Sequence, residues 1–334
     1  MPLMSADGSG ELPPVMLHRY PVTLGLPTAD PYALAIECML RIVGAHYKKR
    51  DGGLPVTLEV PVDGRNKPAM KRHEGLTSCL QLIESATHQD AEVITSALEP
   101  EALCVRLTAE VVLIPAFVYI THSDAGILRN AIQKAVEPKV ASMWQRFRGS
   151  YSRHVVQQTS FCRSYKNMGE AIENVERCLR AIEAICSINT AGNGMFILGT
   201  ERPCSADALI YAAASSFFHA DFASRQASGD IIAMQQRLRE GCPTLLTYVE
   251  RLRGLYFEDY SAFYHLRAPT CGMEGEATQK AAEETFVRGR WKVLAFTGVF
   301  SITYFLVANI DVFSAVLLHY LEDDGEEEFL EDEE

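Results

Sequence analysis

The polar residues most informative about chemistry are a serine and an aspartate two positions apart, where a turn meets a helix. The stretch Leu198–Tyr211 passes through Gly199 and Pro203 to Ser205 and Asp207 and continues as an apolar helical segment. A hydroxyl at the start of a helix can accept hydrogen bonds from free backbone N–H groups, and an acid in the first turn complements the helix dipole. These residues therefore predict helix capping, which is a folding role.

Thr77 and Ser78 form a second polar pair, at the predicted start of a helix that follows a strand, a turn and a strand. A helix N-terminus of this kind can hold a carboxylate, but capping is the interpretation that we favour. The nine histidines are dispersed; His122 follows an apolar run, where capping or solvation is a commoner role than catalysis. The HExxH, GxGxxG, P-loop and GxSxG patterns do not occur. The sequence thus predicts no catalytic residue and no metal site.

The cysteines also argue against a metal centre. They are odd in number, scattered and never in a CxxC pair, and most fall in apolar helical runs, where thiols behave as small hydrophobic groups. This usage is typical of a reducing compartment and predicts neither a disulfide framework nor a zinc site. The nine positions are Cys38, Cys79, Cys104, Cys162, Cys178, Cys186, Cys204, Cys242 and Cys271.

A small α/β lobe over residues 16–97, after a flexible leader at 1–15, is predicted to come first. Asp30 and Pro31 are the N-cap and first-turn residues that a helix start favours, and β-branched residues mark the strand after Pro55. The predicted elements are, in order, a helix over Pro31–Val43, a strand near 45–47, a turn at 48–53, a strand over Leu54–Val60, a turn at Asp63 and Gly64 into a neighbouring strand, and a helix over Leu76–Ala86.

An all-helical lobe over residues 98–267 is predicted next, because apolar residues recur at three-and-four spacing. Its first long apolar run contains Arg106, Glu110 and Pro115, which favour a kinked core helix over a membrane span. The predicted helices cover Ala102–Ile120, Asp124–Met143 with a break at Pro138, Met168–Ile188, Ser205–His219 and Pro243–Leu255.

A membrane anchor is predicted at 291–320, after a polar linker at 268–290. The eighteen residues from Val293 to Ile310 carry no charge. At helical rise they span roughly 27 Å, close to the hydrocarbon thickness of a bilayer, and Trp291 lies where an interfacial aromatic residue belongs. Asp311 either lies at the far interface, which we favour, or falls inside a shifted or tilted span. The rival interpretation, a buried core helix, does not explain an apolar character around the whole circumference.

The orientation of this anchor follows from Arg288, Arg290 and Lys292, which precede it and favour a cytosolic body. The N-terminal stretch has neither a basic region followed by an apolar one nor an Arg-rich amphipathic character. We therefore expect post-translational insertion of a tail-anchored protein with a translocated C-terminal tail.

The charge of the chain is concentrated in that tail. The formal net charge is −12, and residues 321–334 contain ten acids and no base, so residues 1–320 carry −2. A near-neutral body without a basic stripe predicts no nucleic-acid partner. A solvated end is the simplest interpretation of the tail, and a docking segment for basic partners is the alternative.

The order of these motifs resembles the glutathione-transferase fold, in which an α/β lobe with Leu-Pro before its third strand precedes a helical lobe. The spacing of Ser205 and Asp207 differs from the Ser/Thr-x-x-Asp of that fold and is similar to the Pro-x-Ser-x-Asp of the metaxin family. Further matches to metaxins are Gly25–Pro27, Glu110–Pro115 and Leu252–Phe257, followed by a linker, an anchor and an acidic tail.

The resemblance implies an α+β fold with a degenerate thioredoxin-like N-terminal lobe, an all-helical C-terminal lobe and a C-terminal transmembrane helix. Metaxins are cytosol-facing subunits of the mitochondrial outer-membrane machinery that sorts and inserts β-barrel proteins. The expected partners are a β-barrel core subunit, other metaxin-like subunits, β-barrel precursors and the lipid bilayer. Neither an enzymatic activity nor a cofactor is implied, and the structural residues carried over are Pro55, Ser205 and Asp207.

Two alternatives remain open. The first is a membrane-anchored glutathione-dependent transferase, in which a Tyr, Ser or Cys near the first strand and helix would activate the glutathione thiol. The matching segment Val22–Thr28 offers only threonines, with tyrosines at Tyr20 and Tyr32, and Thr77–Ser78 would be a vestige of the peptide-binding pair. The second is a free-standing import receptor for mitochondrial precursors.

Overall fold

The computed structural model describes residues 15–52, 55–62, 69–148, 150–158, 165–190 and 195–257. The predicted linker, anchor and acidic tail lie outside the described residues, and with them Trp291, Val293, Ile310 and Asp311. The following description concerns the body of the chain.

The body begins with a four-stranded mixed sheet. Strands β1 and β2 are parallel with Val15 opposite Tyr47, whereas β3 is antiparallel to both β1 and β4, with Leu17 opposite Leu58. The order across the sheet is β2-β1-β3-β4, and helix α1 makes the crossover that a parallel pair requires. The strands are β1 Val15–Arg19, β2 Tyr47–Asp51, β3 Thr57–Val62 and β4 Ala69–Glu74.

The two strands on the N-terminal side differ from the sequence prediction. Strand β1 was not predicted and begins at Val15, the last residue assigned to the leader; its charged Arg19 is buried because Glu37 pairs with it at 2.7 Å. The predicted turn at 48–53 is wrong, because residues 48–51 belong to β2. This strand lies at the sheet edge, where charged side chains reach solvent and no apolar alternation is needed.

Helices make up the rest of the body. Helix α1 begins where Asp30 accepts a hydrogen bond from the Tyr32 N–H at 2.9 Å, as Asp30-Pro31 predicted. The helices are α1 Pro31–Ile42, α2 Leu76–Thr87, α3 Gln89–Val93, α4 Glu99–Leu107, α5 Ile114–Ser123, α6 Ala125–Ile127, α7 Glu137–Val140, α8 Met143–Arg148, α9 Tyr151–Gln158, α10 Met168–Asn189, α11 Ser205–Phe218, α12 Gly229–Gly241 and α13 Pro243–Tyr256; π-helical segments cover Thr108–Leu113 and Leu128–Val136. This order of sheet and helices is the glutathione-transferase-like architecture expected from the sequence.

Pro115 and Pro138 each lie inside a longer helical stretch, and each is preceded by a π-helical segment. Pro115 follows the segment Thr108–Leu113, and Pro138 follows Leu128–Val136. A proline lacks the N–H of the helical ladder and its ring crowds the preceding turn, so a wider turn lets the helix continue. The predicted break at Pro138 is therefore wrong, because the helical path continues to Val140.

The stretch Glu99–Ser123 is continuous and, by length and composition, the one helix of the described ranges that could cross a membrane. In the body, 44% of its most apolar window is buried. Its side chains Leu113 and Phe117 are buried, and the Phe117 ring meets the Phe217 ring edge-on at 5.7 Å. These contacts agree with the interpretation of this stretch as a core helix.

Helix α11 lies at the centre of the main hydrophobic core, and all fourteen of its residues are buried. Its run of alanines between Leu209 and Phe217 lets neighbouring helices approach closely. The Tyr211 ring stacks on the ring of Phe257 with centroids 4.8 Å apart, so the last described residue is fixed against this helix.

Candidate functional site

Ser205 and Asp207, which were both predicted to act at the start of α11, have different roles in the structure. Cys204, not Ser205, is the N-cap residue. Asp207 accepts hydrogen bonds from the Cys204 N–H at 2.7 Å, from the Ile197 N–H at 2.9 Å and from the Tyr248 hydroxyl. Burial raises the pKa of this carboxyl, and the hydrogen bonds act against the rise. The capping box is thus Cys204-x-x-Asp207, with a thiol where Ser or Thr is usual.

Ser205 does not cap α11, which corrects the prediction. Its backbone N–H donates to the Asp90 carboxylate at 2.8 Å, and its hydroxyl donates to the same carboxylate. Asp90 is also held by Arg106 at 3.3 Å. Ser205, the first residue of α11, therefore connects this helix to Asp90 of α3. This is a tertiary contact and not a local cap.

The predicted capping by Thr77 and Ser78 is also wrong. The N-cap of α2 is Gly75, with a φ of 82° that favours glycine, and no side chain caps the helix. The Ser78 hydroxyl lies 3.5 Å from Nδ1 of His73. The sequence prediction placed the helix correctly but did not allow for a glycine as its first flanking residue.

The β1–α1 loop is where a transferase of this fold would carry its thiol activator, and both of its threonines are buried. Thr23 and Thr28 are 5% and 1% exposed. The Thr28 hydroxyl donates to the Tyr20 carbonyl at 2.8 Å and accepts from the Asp30 N–H at 3.2 Å. The loop carbonyl of Leu24 accepts a hydrogen bond from the Asp221 N–H at 2.7 Å, which fixes the loop to the helical part of the chain.

A small hydrophobic cluster, made by Ile132, Val136 and Tyr151, packs against this loop through Tyr20 and Ala29. We call it the loop-covering cluster. Its buried residues come from the π-helical segment before α7 and from α9. The two ends of the loop, at Tyr20 and Ala29, are therefore packed against by the chain itself.

The ionisable groups around the loop-covering cluster are strongly perturbed. Burial raises the pKa of Asp30 to about 6, and its hydrogen bonds from backbone N–H groups, including that of Val56, act against the rise. Burial, reinforced by the Asp30 charge, raises the pKa of Tyr20 to about 12, and burial also raises that of Tyr151. Both phenols are therefore neutral at physiological pH and unsuited to act as bases.

The backbone beside Pro55, where an extended peptide would pair with the third strand, is satisfied internally. The Val56 carbonyl accepts a hydrogen bond from the Gly75 N–H at 3.0 Å, and the Val56 N–H donates to Asp30. Pro55 itself is exposed, and its carbonyl accepts from the Thr57 hydroxyl at 2.9 Å. Both polar groups of Val56 are thus paired without a ligand.

A groove of about 500 Å³ lies between α2 and α4. On α4 it exposes Leu103 and Leu107 by 47% and 46%, and at its base lie Asp90, Arg106 and Ser205. Its apolar lining also includes Leu80 and Leu209, and the Ser205 hydroxyl that reaches it already donates to the Asp90 carboxylate. Within the described ranges no three His, Cys, Asp or Glu groups come together as metal ligands would.

No protein-family model matches the sequence, and no curated protein matches it. Several solved glutathione transferases are similar in structure. A glutathione S-transferase of Ceriporiopsis subvermispora in complex with glutathione has 12% identity and a TM-score of 0.45, covering 72% of this chain and 98% of that one. The transferase Omega 2S of Trametes versicolor has 12% identity and a TM-score of 0.45, covering 75% and 91%. A family member of Pseudomonas fluorescens with two glutathiones bound has 13% identity and a TM-score of 0.42, covering 73% and 92%. The fold assignment rests on the strand order and helices described above.

Proposed function

We propose that this chain is a non-catalytic, tail-anchored protein of the mitochondrial outer membrane whose body faces the cytosol. In this role it is a metaxin-like subunit of the machinery that sorts and inserts β-barrel proteins. Its partners are a β-barrel core subunit, other metaxin-like subunits and β-barrel precursors. The family part of the proposal rests on the joint order of sequence motifs from Gly25–Pro27 to the acidic tail.

The observation that carries the non-catalytic part is the closed β1–α1 loop. Thiol activation requires a hydroxyl or amide within hydrogen-bond reach of the sulfur. The Thr28 hydroxyl is buried and donates to the Tyr20 carbonyl at 2.8 Å, and the loop-covering cluster packs on the same loop. Binding a peptide like an added strand requires free backbone groups, and those of Val56 are already paired.

The membrane part of the proposal is supported by the charge-free run Val293–Ile310 and by the three bases before it. Full-length protein in isolated mitochondria should resist extraction with alkaline carbonate, whereas a chain truncated before Arg288 should be soluble. External protease should degrade the body and spare a short C-terminal fragment. Extraction of the full-length chain by carbonate would refute the anchor, and protection of the whole body would reverse the orientation.

Co-purification tests the assembly role. Full-length tagged protein, extracted from mitochondria in a mild detergent, should bring a β-barrel membrane protein with it in a stable complex. The version truncated before Arg288 separates a contact made by the body from one that requires the anchor. A full-length chain that purifies alone and still binds precursors would instead support a free-standing receptor, and retention on immobilised glutathione would support the transferase.

A further inference from the structure

The chain between Ala125 and Gly169 is strongly basic. It contains eight Lys and Arg residues and one acid, Glu137, and so carries +7. Since residues 1–320 carry −2 in total, the remainder of that range carries −9. This segment of large net positive charge includes α7, α8 and α9. The bases are Arg129, Lys134, Lys139, Arg146, Arg148, Arg153, Arg163 and Lys166.

Helix α8 presents two large apolar side chains to solvent in the middle of this segment. Met143 is 78% exposed and Trp144 is 68% exposed. The Arg148 guanidinium lies 6.0 Å from the centroid of the Trp144 ring. A tryptophan next to a methionine on the surface is a patch that burial in a partner would stabilise, unlike a single exposed aliphatic residue.

Four cations that are close to this patch in sequence are exposed at the surface. Lys139, Arg146, Arg148 and Arg153 are exposed, and in the described part of the chain none of them forms an ion pair with a carboxylate. The acid of the segment, Glu137, is buried. Burial raises the pKa of Glu137, while the charge of Arg146 acts against this. Glu137 is therefore not part of the exposed face.

We propose that α8 and the cations on its flanking helices dock on an anionic lipid surface, with Trp144 and Met143 at the boundary of headgroups and acyl chains. We call this surface, defined by Lys139, Met143, Trp144, Arg146, Arg148 and Arg153, the α8 lipid face. Tryptophan and arginine both combine an apolar body with a polar end, which suits the membrane interface. Clustered bases are attracted to anionic headgroups.

A uniform sign of charge favours a lipid surface over a protein partner. A bilayer with anionic lipids is a plane of one sign, whereas protein partners arrange opposite charges in register across the contact. The inference rests on the proposed membrane location and extends it: the anchor attaches the chain, and the α8 lipid face gives the body a second contact with the same membrane.

Tryptophan fluorescence tests this proposal, because the full-length chain has only two tryptophans, Trp144 and Trp291. Trp291→Phe leaves Trp144 as the reporter, and Trp144→Phe leaves Trp291. Each full-length variant is reconstituted into phosphatidylcholine vesicles with or without phosphatidylserine, and brominated acyl chains serve as quenchers. In phosphatidylserine vesicles the emission of Trp144 should shift to the blue and be quenched several-fold more than in neutral vesicles. High salt should reverse the effect.

The double substitution Arg146→Gln/Arg148→Gln should abolish that quenching, whereas Arg177→Gln/Arg180→Gln, which removes two exposed cations from α10, should leave it unchanged. Trp144 emission that stays water-like in phosphatidylserine vesicles, or equal quenching in neutral ones, would overturn the proposal. Polyglutamate in solution serves as the model of an acidic protein. A blue shift of Trp144 emission with polyglutamate but not with phosphatidylserine vesicles would overturn the proposal in favour of an acidic protein partner. Quenching of Trp291 without quenching of Trp144 would leave the anchor intact, and the reverse result would refute the anchor alone.

Discussion

Two hydrophobic clusters of the body differ in size and in what they hold together. The main core includes the whole of α11 and joins the sheet to the long helices. The loop-covering cluster has three buried members, Ile132, Val136 and Tyr151, and packs on the β1–α1 loop. Because buried apolar area sets most of the stability, the main core determines whether the chain folds. The smaller cluster packs on the two ends of one loop, at Tyr20 and Ala29.

The buried polar groups of the two regions also differ, in how they are paired. In the main core, Asp207 is fully buried and three donors converge on it. Glu37, also fully buried, is held by Arg19 at 2.7 Å and by Arg41 at 3.1 Å. Near the loop-covering cluster, burial instead raises the pKa of Asp30 and lowers the pKa of His122. The main core thus contains charges that several partners hold, whereas near the loop-covering cluster burial shifts the pKa values of Asp30 and His122 in the direction of their neutral forms.

The largest expected effect is that of Asp207→Ala. The substitution leaves the N–H groups of Cys204 and Ile197 and the Tyr248 hydroxyl without their acceptor, so the free energy of unfolding should fall by about 3–5 kcal/mol. Asp230→Ala is the matched control, since Asp230 is an exposed acid in the first turn of α12. It should cost at most about 1 kcal/mol. Equal losses in urea unfolding would contradict the role assigned to Asp207.

The next effect is a pH dependence with two opposing contributions. The folded-state pKa of Asp30 is raised to about 6, so its contribution to stability is lost as pH rises from about 4 to about 6. Burial lowers the pKa of His122 to about 4, so its contribution is gained as pH rises from about 4 to about 6.5. For Asp30, a shift of about two pKa units corresponds to about 3 kcal/mol.

Single substitutions should separate these contributions. Asp30→Asn, which can still accept the Tyr32 N–H hydrogen bond, should give an unfolding free energy that rises with pH between about 4 and 6.5. His122→Gln should give one that falls across the same window. Urea titrations at several pH values measure both slopes, and identical slopes in the two variants would refute the assignment.

The smallest stability effect is expected for Ile132→Ala, which should cost about 2 kcal/mol, at the low end for an isoleucine truncation because the cluster is small. Hydrogen exchange should accelerate at the amides of Ala29 and α9 while those of α11 stay protected. Ile210→Ala, in the middle of α11, is the contrasting variant and should cost about 4 kcal/mol and lower protection throughout the body. Uniform acceleration in Ile132→Ala would mean that the two clusters do not respond separately.

The helices with clear start signals could be predicted from the sequence. Helices α10, α11 and α13 were expected over Met168–Ile188, Ser205–His219 and Pro243–Leu255, and these predictions are confirmed to within one residue. The stretches of α10 and α13 keep a regular apolar spacing, and Pro243 marks the start of α13. These signals are local, which is why sequence reasoning could read them.

Features that depend on tertiary partners could not be predicted. The buried Arg19 of β1 is stabilised by Glu37, eighteen residues further along, and a local pattern cannot show this. A thiol is an unusual capping group, so the sequence favours Ser205 over Cys204 as the cap, although Cys204 is the N-cap in the structure. The basic segment around α8 was missed because its +7 disappears in the near-neutral total of residues 1–320; a regional charge count would have found it.

The most direct test of the account is glutathione conjugation by the full-length protein. The chain, purified in detergent, is mixed with glutathione and an electrophilic aromatic substrate, alongside Thr23→Ala, Thr28→Ala and Ser78→Ala variants. Because the Thr28 hydroxyl is buried and already donates a hydrogen bond, all four proteins should match the uncatalysed rate. Turnover above that rate in the wild-type chain, lost in any one of the three variants, would contradict the non-catalytic role.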